Sequence, residues 1–216
     1  MRGGDVLIAN HRCSVYPVLV QLIGGRRVHW MVAGEYFKNF LFGPILRMFR
    51  AIPTNRGGVD TASTKRAIAL AKSGRFVGMF PEGRINRSKS PLLSIRPGAA
   101  IVALRANVPL VPIWIEGAPA GWAVYSALFK PAKVRIIVGT PVRYDANVQD
   151  TAKLTNTKNE SNLENGDGEL GNASYDRIQS RNNAVAWLTR AMGKSLEMGG
   201  HSPDEVGMAG RKWLDS

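Results

Sequence analysis

Short runs of contiguous apolar residues recur along the first two thirds of the chain, separated by stretches with helical spacing, and this alternation predicts an α/β domain. Val6–Ala9 has the length and content of a buried strand and would deliver His11 at its carboxyl end, with a helix starting in Pro17–Ile23. Val28–Ala33 reads as a second strand. Within 40–49, Leu41, Ile45, Leu46 and Phe49 fall on one helical face, with Arg47 and Arg50 at its end, so this segment is either core or an amphipathic surface that meets lipid. Ala62–Ser73 is a clearer helix, its apolar Ala62, Ile68, Ala69 and Ala71 set among Lys65, Arg66 and Lys72 and stopped by Gly74. Phe76–Phe80 is a strand running into Pro81-Glu82-Gly83. An arginine-rich loop, Arg84 to Arg96, precedes a helix over Ala99–Ala106 with Pro97 near its first turn. Leu110–Ile115 and Val134–Val138 read as strong buried strands, and a helical or irregular segment holding Trp122, Tyr125 and Phe129 lies between them.

The pattern breaks near Asp145. Residues 146–176 are rich in Asn, Asp, Glu, Gly, Thr and Ser and read as a polar, disordered linker. Helical periodicity returns over 177–198 through Ile178, Val185, Leu188, Met192 and Leu196, a C-terminal helix able to pack back on the domain, and 199–216 reads as a mobile tail. The expected organisation is thus one domain over 1–145 with a helical appendage, and no internal repeat is present.

Charge narrows the partners more than the fold. With 216 residues and 44% hydrophobic content the chain can bury one good core. A net charge of +13 and a pI near 10.4 imply attraction to polyanions: phospholipid headgroups, a phosphorylated substrate, an acidic carrier protein or nucleic acid. Zinc-finger spacing, RNP-like aromatic strands and basic-zipper patterns are all missing, which makes nucleic acid the weakest of these. The single cysteine, Cys13, excludes an intrachain disulfide framework and fits a reducing compartment. It lies two residues from His11, which makes it either a thiol nucleophile or a small space-filling residue, and the second is the plainer reading. No signal-peptide core and no run of about 18 apolar residues occurs. A chain of this kind that works at a membrane would be cytoplasmic and peripheral, lying on the surface.

The chemistry concentrates in four blocks. Asn10-His11-Arg12-Cys13-Ser14-Val15-Tyr16-Pro17 has the form N-H-x4-Y-P; Ile52-Pro53-Thr54-Asn55-Arg56-Gly57-Gly58 follows Gly34-Glu35-Tyr36-Phe37; then come Phe80-Pro81-Glu82-Gly83-Arg84 and Val108-Pro109-Leu110-Val111-Pro112-Ile113. In this order the blocks resemble those of the PlsC-like 1-acyl-glycerol-3-phosphate acyltransferases, whose first block is N-H-x4-D-P and whose third is F-P-E-G-T-R-S. The chain therefore departs from the family at Tyr16, where aspartate is usual, and at Arg84, where threonine is.

The resemblance implies a mixed sheet flanked by helices and direct transfer of an acyl chain from acyl-CoA or acyl carrier protein to a lysophosphatidate-type glycerol phosphate, with no metal, no cofactor and no acyl-enzyme. His11 would be the general base, with Tyr16 at the position of the acid that orients it. Arg56, Glu82, Gly83 and Arg84 would bind the acceptor, Arg56 by bidentate contact with phosphate. Glu82, Glu35 and Asp5 are the candidate carboxylates for the role of the motif aspartate, and amides near His11 or Gly83 are the candidates for holding an oxyanion. Trp30, Met31, Phe37, Phe40, Leu41, Met79, Trp114 and Trp122 are candidates for an acyl channel, each also a plain core residue. The resemblance further implies additional chain ahead of the histidine block, often with a membrane-anchoring helix, so either the product is short or the sequence begins inside a longer parent. Besides the enzyme, two readings stay open: a noncatalytic relative that binds phospholipid or acyl donor, and a basic protein binding acidic partners.

Overall fold

A computed structural model describes residues 3–40, 42–55, 60–118, 132–143, 182–193, 197 and 200. The expected linker at 146–176, the Trp122-containing segment and all of the expected tail except Gly200 lie outside these residues. Six strands form one mixed sheet: β1 (Val6–Ala9), β2 (Val28–Ala33), β3 (Ile52–Thr54), β4 (Phe76–Met79), β5 (Leu110–Glu116) and β6 (Arg135–Val138), in the order β3-β2-β4-β1-β5-β6. All neighbours are parallel except β5 and β6, and β6, expected to be buried, is instead a partly exposed strand at the end of the sheet, with Val138 57% exposed. Four α-helices lie between the strands in sequence: α1 (Tyr16–Ile23), α2 (Phe42–Met48), α3 (Thr61–Lys72) and α4 (Gly98–Ala106); Gly34–Lys38 forms a 3-10 helix, and residues 182–193 form a further helix, α5. The α/β class and the helix-flanked mixed sheet match the expectation. β3 was not anticipated as a strand; only three residues long and containing Pro53, it sits at the sheet edge, where proline costs least.

Central β1 is buried at every position, which is why its sequence is a continuous apolar run rather than an alternating one. Its side chains still alternate between two cores. Val6 and Ile8 join Val77, Leu110 and Trp114 beneath α3, α4 and α5, the last contributing Ala184, Trp187, Leu188, Ala191 and Met192. Leu7 and Ala9 join Val28, Trp30, Val111, Ile113 and Ile115 on the other face, covered by Val15, Tyr16 and Val20 from α1 and the turn before it. Alanines dominate the sheet-facing sides of α3 and α4, where Ala67, Ala71, Ala99, Ala100 and Ala103 are at most 1% exposed and let the helices approach closely. Asp60 caps α3 by accepting from the Ser63 amide (3.0 Å) and, with its other oxygen, from the Asn55 amide (2.6 Å), so one carboxylate ties the end of β3 to the start of α3. Asn107 ends α4 in the left-handed conformation that asparagine tolerates.

On the α1 face, Trp30 of β2 is paired with Gly78 of β4, and its indole lies across the glycine: a Cβ placed there would come within 2.5 Å of the ring. Gly78→Ala should therefore destabilise the fold by about 1–3 kcal/mol through displacement of the indole. Urea unfolding followed by tryptophan fluorescence checks this, and Gly74→Ala, at a left-handed turn glycine with open space around it, separates overpacking from backbone strain.

Candidate functional site

Because the first four strands in the sheet are parallel, their carboxyl ends open on one edge, the usual place for a site in such a sheet. The segments leaving β1, β2, β3 and β4 there carry His11, the Gly34–Lys38 turn, Asn55 and Phe80 to Gly83. Between them and α1 and α2 lies a cavity of about 330 Å3. Its wall is apolar along Val18, Trp30, Met31, Phe42, Ile45, Leu46, Phe49 and Met79, and becomes polar near His11, Thr54, Asn55 and Arg96. Of the residues expected to line an acyl channel, Trp30, Met31 and Met79 are on this wall. Phe40 is 94% exposed, and Trp114 is instead buried in the opposite core beneath α3 to α5; Phe37 is not on the wall, and Leu41 and Trp122 lie outside the described residues.

His11 is held by its main chain. Asn10, fully buried, donates from Nδ2 to the Ile115 carbonyl and accepts the Ile115 amide on Oδ1, both at 2.9 Å, so its side chain imitates one more residue of β1 while the backbone turns away. The His11 amide donates to Glu82 Oε1 (2.6 Å), and the His11 carbonyl accepts from the Asn86 amide (2.6 Å). The ring is half-buried with Nδ1 inside, and it stacks on Phe80 with centroids 3.8 Å apart and planes 14° from parallel; Phe80 stacks in turn on Trp30 at 4.9 Å and 17°.

Glu82 is 2% exposed and spans two segments, taking the His11 amide on one oxygen and the Leu93 amide (2.9 Å) on the other. Burial pushes its carboxyl up to about 7, opposed by the Leu93 and His11 amides and by the charges of Arg12 and Arg84. The same loop is fastened a second time by Arg12, whose guanidinium donates to the carbonyls of Ser90 (3.0 Å) and Ser88 (3.2 Å), and a third time by buried Asn86, which donates to Ser90 and accepts from Ser88. Glu82 is thus a clamp on the backbone. Of the other carboxylates considered for His11, Asp5 stands at the opposite end of β1, and Glu35 is in the 3-10 helix after β2.

Tyr16 is 2% exposed and packs in the core under α1, its hydroxyl donating to the carbonyl of Ile115 (3.3 Å), the oxygen already bonded by Asn10. Burial raises the phenol far above its ordinary value, so Tyr16 is neutral at physiological pH and brings no negative charge to the site. Cys13 is 3% exposed in the same apolar cluster, the environment of a packing residue rather than an activated thiolate. Gly83 is on the cavity wall with φ +68, a conformation that favours glycine, and its amide donates to Phe80 O (3.0 Å). The amides of His11 and Gly83, both considered for an oxyanion, are therefore occupied within the fold. Arg84 is exposed beside the wall, and Arg56 lies outside the described residues. Among the described residues, Arg96 is the arginine on the cavity wall; its side chain passes the α-carbon of Gly83, within 3.0–3.2 Å of a hypothetical Cβ. In the sequence Arg96 stands out only as the end of a basic loop and Asn10 and Arg12 only as members of the histidine block, and nothing marks Asn86.

A family model described as Acyltransferase matches residues 2–116, which contain all of these groups. The chain is 34% identical over 116 residues to a 1-acyl-sn-glycerol-3-phosphate acyltransferase of Bacillus subtilis (strain 168), covering 54% of this chain and 55% of that protein. It is 31% identical over 114 residues to the protein of the same name from Streptococcus pneumoniae, covering 52% and 41%, and 27% identical over 130 residues to an N-acylphosphatidylethanolamine synthase of Arabidopsis thaliana, covering 54% and 45%. The chain thus spans about half the length of these relatives. Its fold is similar to the crystal structure of the lysophosphatidate acyltransferase PlsC from Thermotoga maritima, with a TM-score of 0.51 at 17% identity over 76% of this chain and 70% of that one. Carried by a family match over more than half its length and a sheet that gathers the matched blocks at one edge, the chain belongs to the acyltransferase family.

Proposed function

We propose that this protein transfers a fatty acyl group from the thioester of acyl-CoA or acyl carrier protein to the free hydroxyl of a lysophosphatidate-type glycerol phosphate, a step of phospholipid synthesis. The observation that carries this reading is a histidine at the polar end of an apolar cavity, with an arginine on the same wall. The acyl chain occupies the apolar part, between α2 and the Trp30 indole. The acceptor hydroxyl meets His11, whose neutral imidazole takes its proton as the oxygen attacks the thioester carbonyl. The tetrahedral intermediate then collapses, the carbon–sulfur bond breaks, and the imidazolium returns the proton to the departing thiolate. Arg96 and the Arg56 segment supply the positive charge that a phosphomonoester requires. Glu82 holds the catalytic histidine in place through its amide, with Arg12 and Asn86 fixing the loop that Glu82 reaches.

No helix among the described residues is long and apolar enough to cross a membrane. Approach to a lipid acceptor is instead supported by the outer sides of the two helices that wall the cavity. Leu22 at the end of α1, and Phe40 and Met48 flanking α2, are 75%, 94% and 63% exposed, and Lys38, Arg47 and Arg50 are exposed beside the last two. Apolar residues fringed by cations suit the interface of an anionic bilayer.

Three outcomes test this reading. With acyl-CoA or acyl carrier protein as donor and lysophosphatidate as acceptor, His11→Ala should abolish turnover and Arg96→Ala should raise KM for the acceptor about tenfold or more, whereas Tyr16→Phe, which removes only the bond to an already satisfied carbonyl, should keep turnover within about threefold. Loss of activity in a folded Tyr16→Phe protein would give that hydroxyl a catalytic role and contradict the assignment. Cosedimentation with phosphatidylglycerol vesicles should fall at least about tenfold when Leu22, Phe40 and Met48 are all changed to serine; unchanged sedimentation would move the membrane face elsewhere.

The third concerns pH. Glu82 has a folded pKa of about 7 against an ordinary 4.5, so between those values the folded state holds a proton that the unfolded chain has released. Its contribution to stability is full below about pH 4.5 and declines as pH rises through 7. Urea unfolding of the parent at pH 5 and 7.5 should differ from that of Glu82→Gln by on the order of 2–3 kcal/mol in this direction; parallel pH dependence would mean that Glu82 stays ionised throughout.

A further inference from the structure

His11 and Phe80 lie face to face at 3.8 Å and 14°, with the Trp30 indole stacked behind Phe80 at 4.9 Å and 17°. A stack this tight is a consequence of register. Phe76, Gly78 and Phe80 alternate onto the α1 face along and just beyond β4, and Trp30 is the cross-strand neighbour of Gly78, so the missing side chain at 78 lets the indole lie flat and support the phenyl ring from behind. On the other side of Phe80, the imidazole is delivered by a main chain fixed at Asn10, at its own amide and at its own carbonyl. Three aromatic rings therefore form a column running from the sheet to the cavity, and the imidazole is its outermost member.

The electronic consequence concerns the charged form of the ring. In proton transfer from the acceptor hydroxyl, His11 becomes an imidazolium, and a phenyl face within about 6 Å of a cation attracts it through the negative potential above the ring. Among the described residues, few titratable groups face His11 from the surrounding elements. Tyr16 on α1 is a neutral phenol bonded to Ile115 O, Cys13 in the preceding turn is packed in the core, and Glu82 after β4 has its two oxygens on the amides of His11 and Leu93. Arg12 next in sequence is turned onto Ser88 and Ser90, and Arg96 on the cavity wall is itself cationic. Of the neighbours, the face of Phe80 is the one in direct stacking contact with the ring.

We propose that Phe80 is a positioning residue for the catalytic histidine, fixing the plane of the His11 ring by stacking and stabilising its protonated form through the phenyl face, with Trp30 as the backing ring. The aromatic column takes up part of the work that a carboxylate would do at the position of Tyr16: orientation of the ring, and offset of the charge formed in the transition state. This inference depends on the proposed acyl transfer only for its catalytic meaning; the stack and its effect on the imidazole are properties of the protein alone.

The experiment is a proton NMR titration of His11 in the full chain, its ring signals assigned by comparison with His11→Gln, in the parent, in Phe80→Leu, in Phe80→Trp and in a protein carrying a trifluorinated phenylalanine at position 80. In the parent, the His11 carbon-bound ring protons should be displaced upfield by the phenyl ring current. Phe80→Leu should abolish that displacement and lower the His11 pKa by about half a unit, the trifluorinated side chain should lower the pKa similarly with its shape nearly kept, and Phe80→Trp should restore both. Where the protein turns over, the acidic limb of the kcat/KM profile should move with the NMR value, and kcat should fall about threefold in Phe80→Leu. An unshifted His11 pKa in the folded trifluorinated protein would overturn the electrostatic role, and ring protons without upfield displacement in the parent would overturn the stack itself. A pKa that moves as expected in a protein without acyl transfer would leave the stack standing and refute the proposed reaction.

Discussion

A buried carboxylate that accepts only main-chain amides is the constraint from which the site is built. Glu82 leaves β4 into a region where it is 2% exposed, and an ionised group there is tolerable only with its oxygens bonded. The amides that satisfy it belong to His11, just past β1, and to Leu93, late in the loop before α4. Satisfying one carboxylate therefore fixes where the β1 segment leaves the sheet and where an eleven-residue excursion returns. Arg12 and Asn86 then fasten the interior of that excursion to the same place through Ser88 and Ser90. The loop is arginine-rich, which would ordinarily favour an extended, solvated path, and its position against the histidine comes from these polar ties together with Leu92 and Ile95, which are buried in the main core.

The carbonyl of Ile115 is the second fixed point. It accepts from Asn10 Nδ2 and from the Tyr16 hydroxyl, which uses both of its lone pairs and draws the start of α1 against β5. A tyrosine here is chemically coherent as a core residue: its ring fills the cluster with Val15, Val20, Val28 and Ile113, and its hydroxyl finds a partner in the sheet. What it does not provide is a negative charge. The departure from the family motif at this position thus exchanges an acid for packing, and the polarity of the site shifts toward cations, with Arg96 on the wall and Arg84 exposed nearby.

How far the sequence revealed this depends on whether a feature is local. Strands β1, β2, β4 and β5 were legible because parallel strands buried on both faces must be uninterrupted apolar runs, and α3 was legible from its periodicity and its glycine stop. β3 was hidden, since three residues including a proline carry no strand signal until a neighbour supplies the pairing. His11 was legible from its motif. The partners of the motif residues were not: Glu82 was expected to serve as acid or ligand and holds amides, Tyr16 was expected to orient the imidazole and bonds Ile115, and which of the channel candidates were plain core, as Trp114 is, could not be sorted. Each depends on which face of the sheet a side chain takes and which strand lies alongside, relations that join residues up to 105 positions apart. Arg96 was missed because its distinguishing property is proximity to Gly83, and a left-handed glycine thirteen residues earlier gives no hint of that in the sequence.

Magnitudes decide what such a site can do. An orienting carboxylate on a catalytic histidine is worth roughly 10⁴-fold in turnover in serine proteases, or about 5.5 kcal/mol. A stacked phenyl ring offers about 0.5–2 kcal/mol to the imidazolium, so the Phe80 column replaces a fraction of that and no more. The remainder has to come from how the reactants are held. Holding a thioester and a hydroxyl in reacting geometry can contribute about 7–11 kcal/mol, and this depends on the cavity and on a rigid histidine rather than on charge beside the ring. The polar ties are concentrated accordingly: Asn10, Glu82 and Asn86 all immobilise the backbone of residues 10 and 11, and the aromatic column limits the side-chain torsions they leave, which set the plane of the ring. Under the proposed reaction, a site with tyrosine at the motif position and a rigid histidine keeps the larger of the two terms.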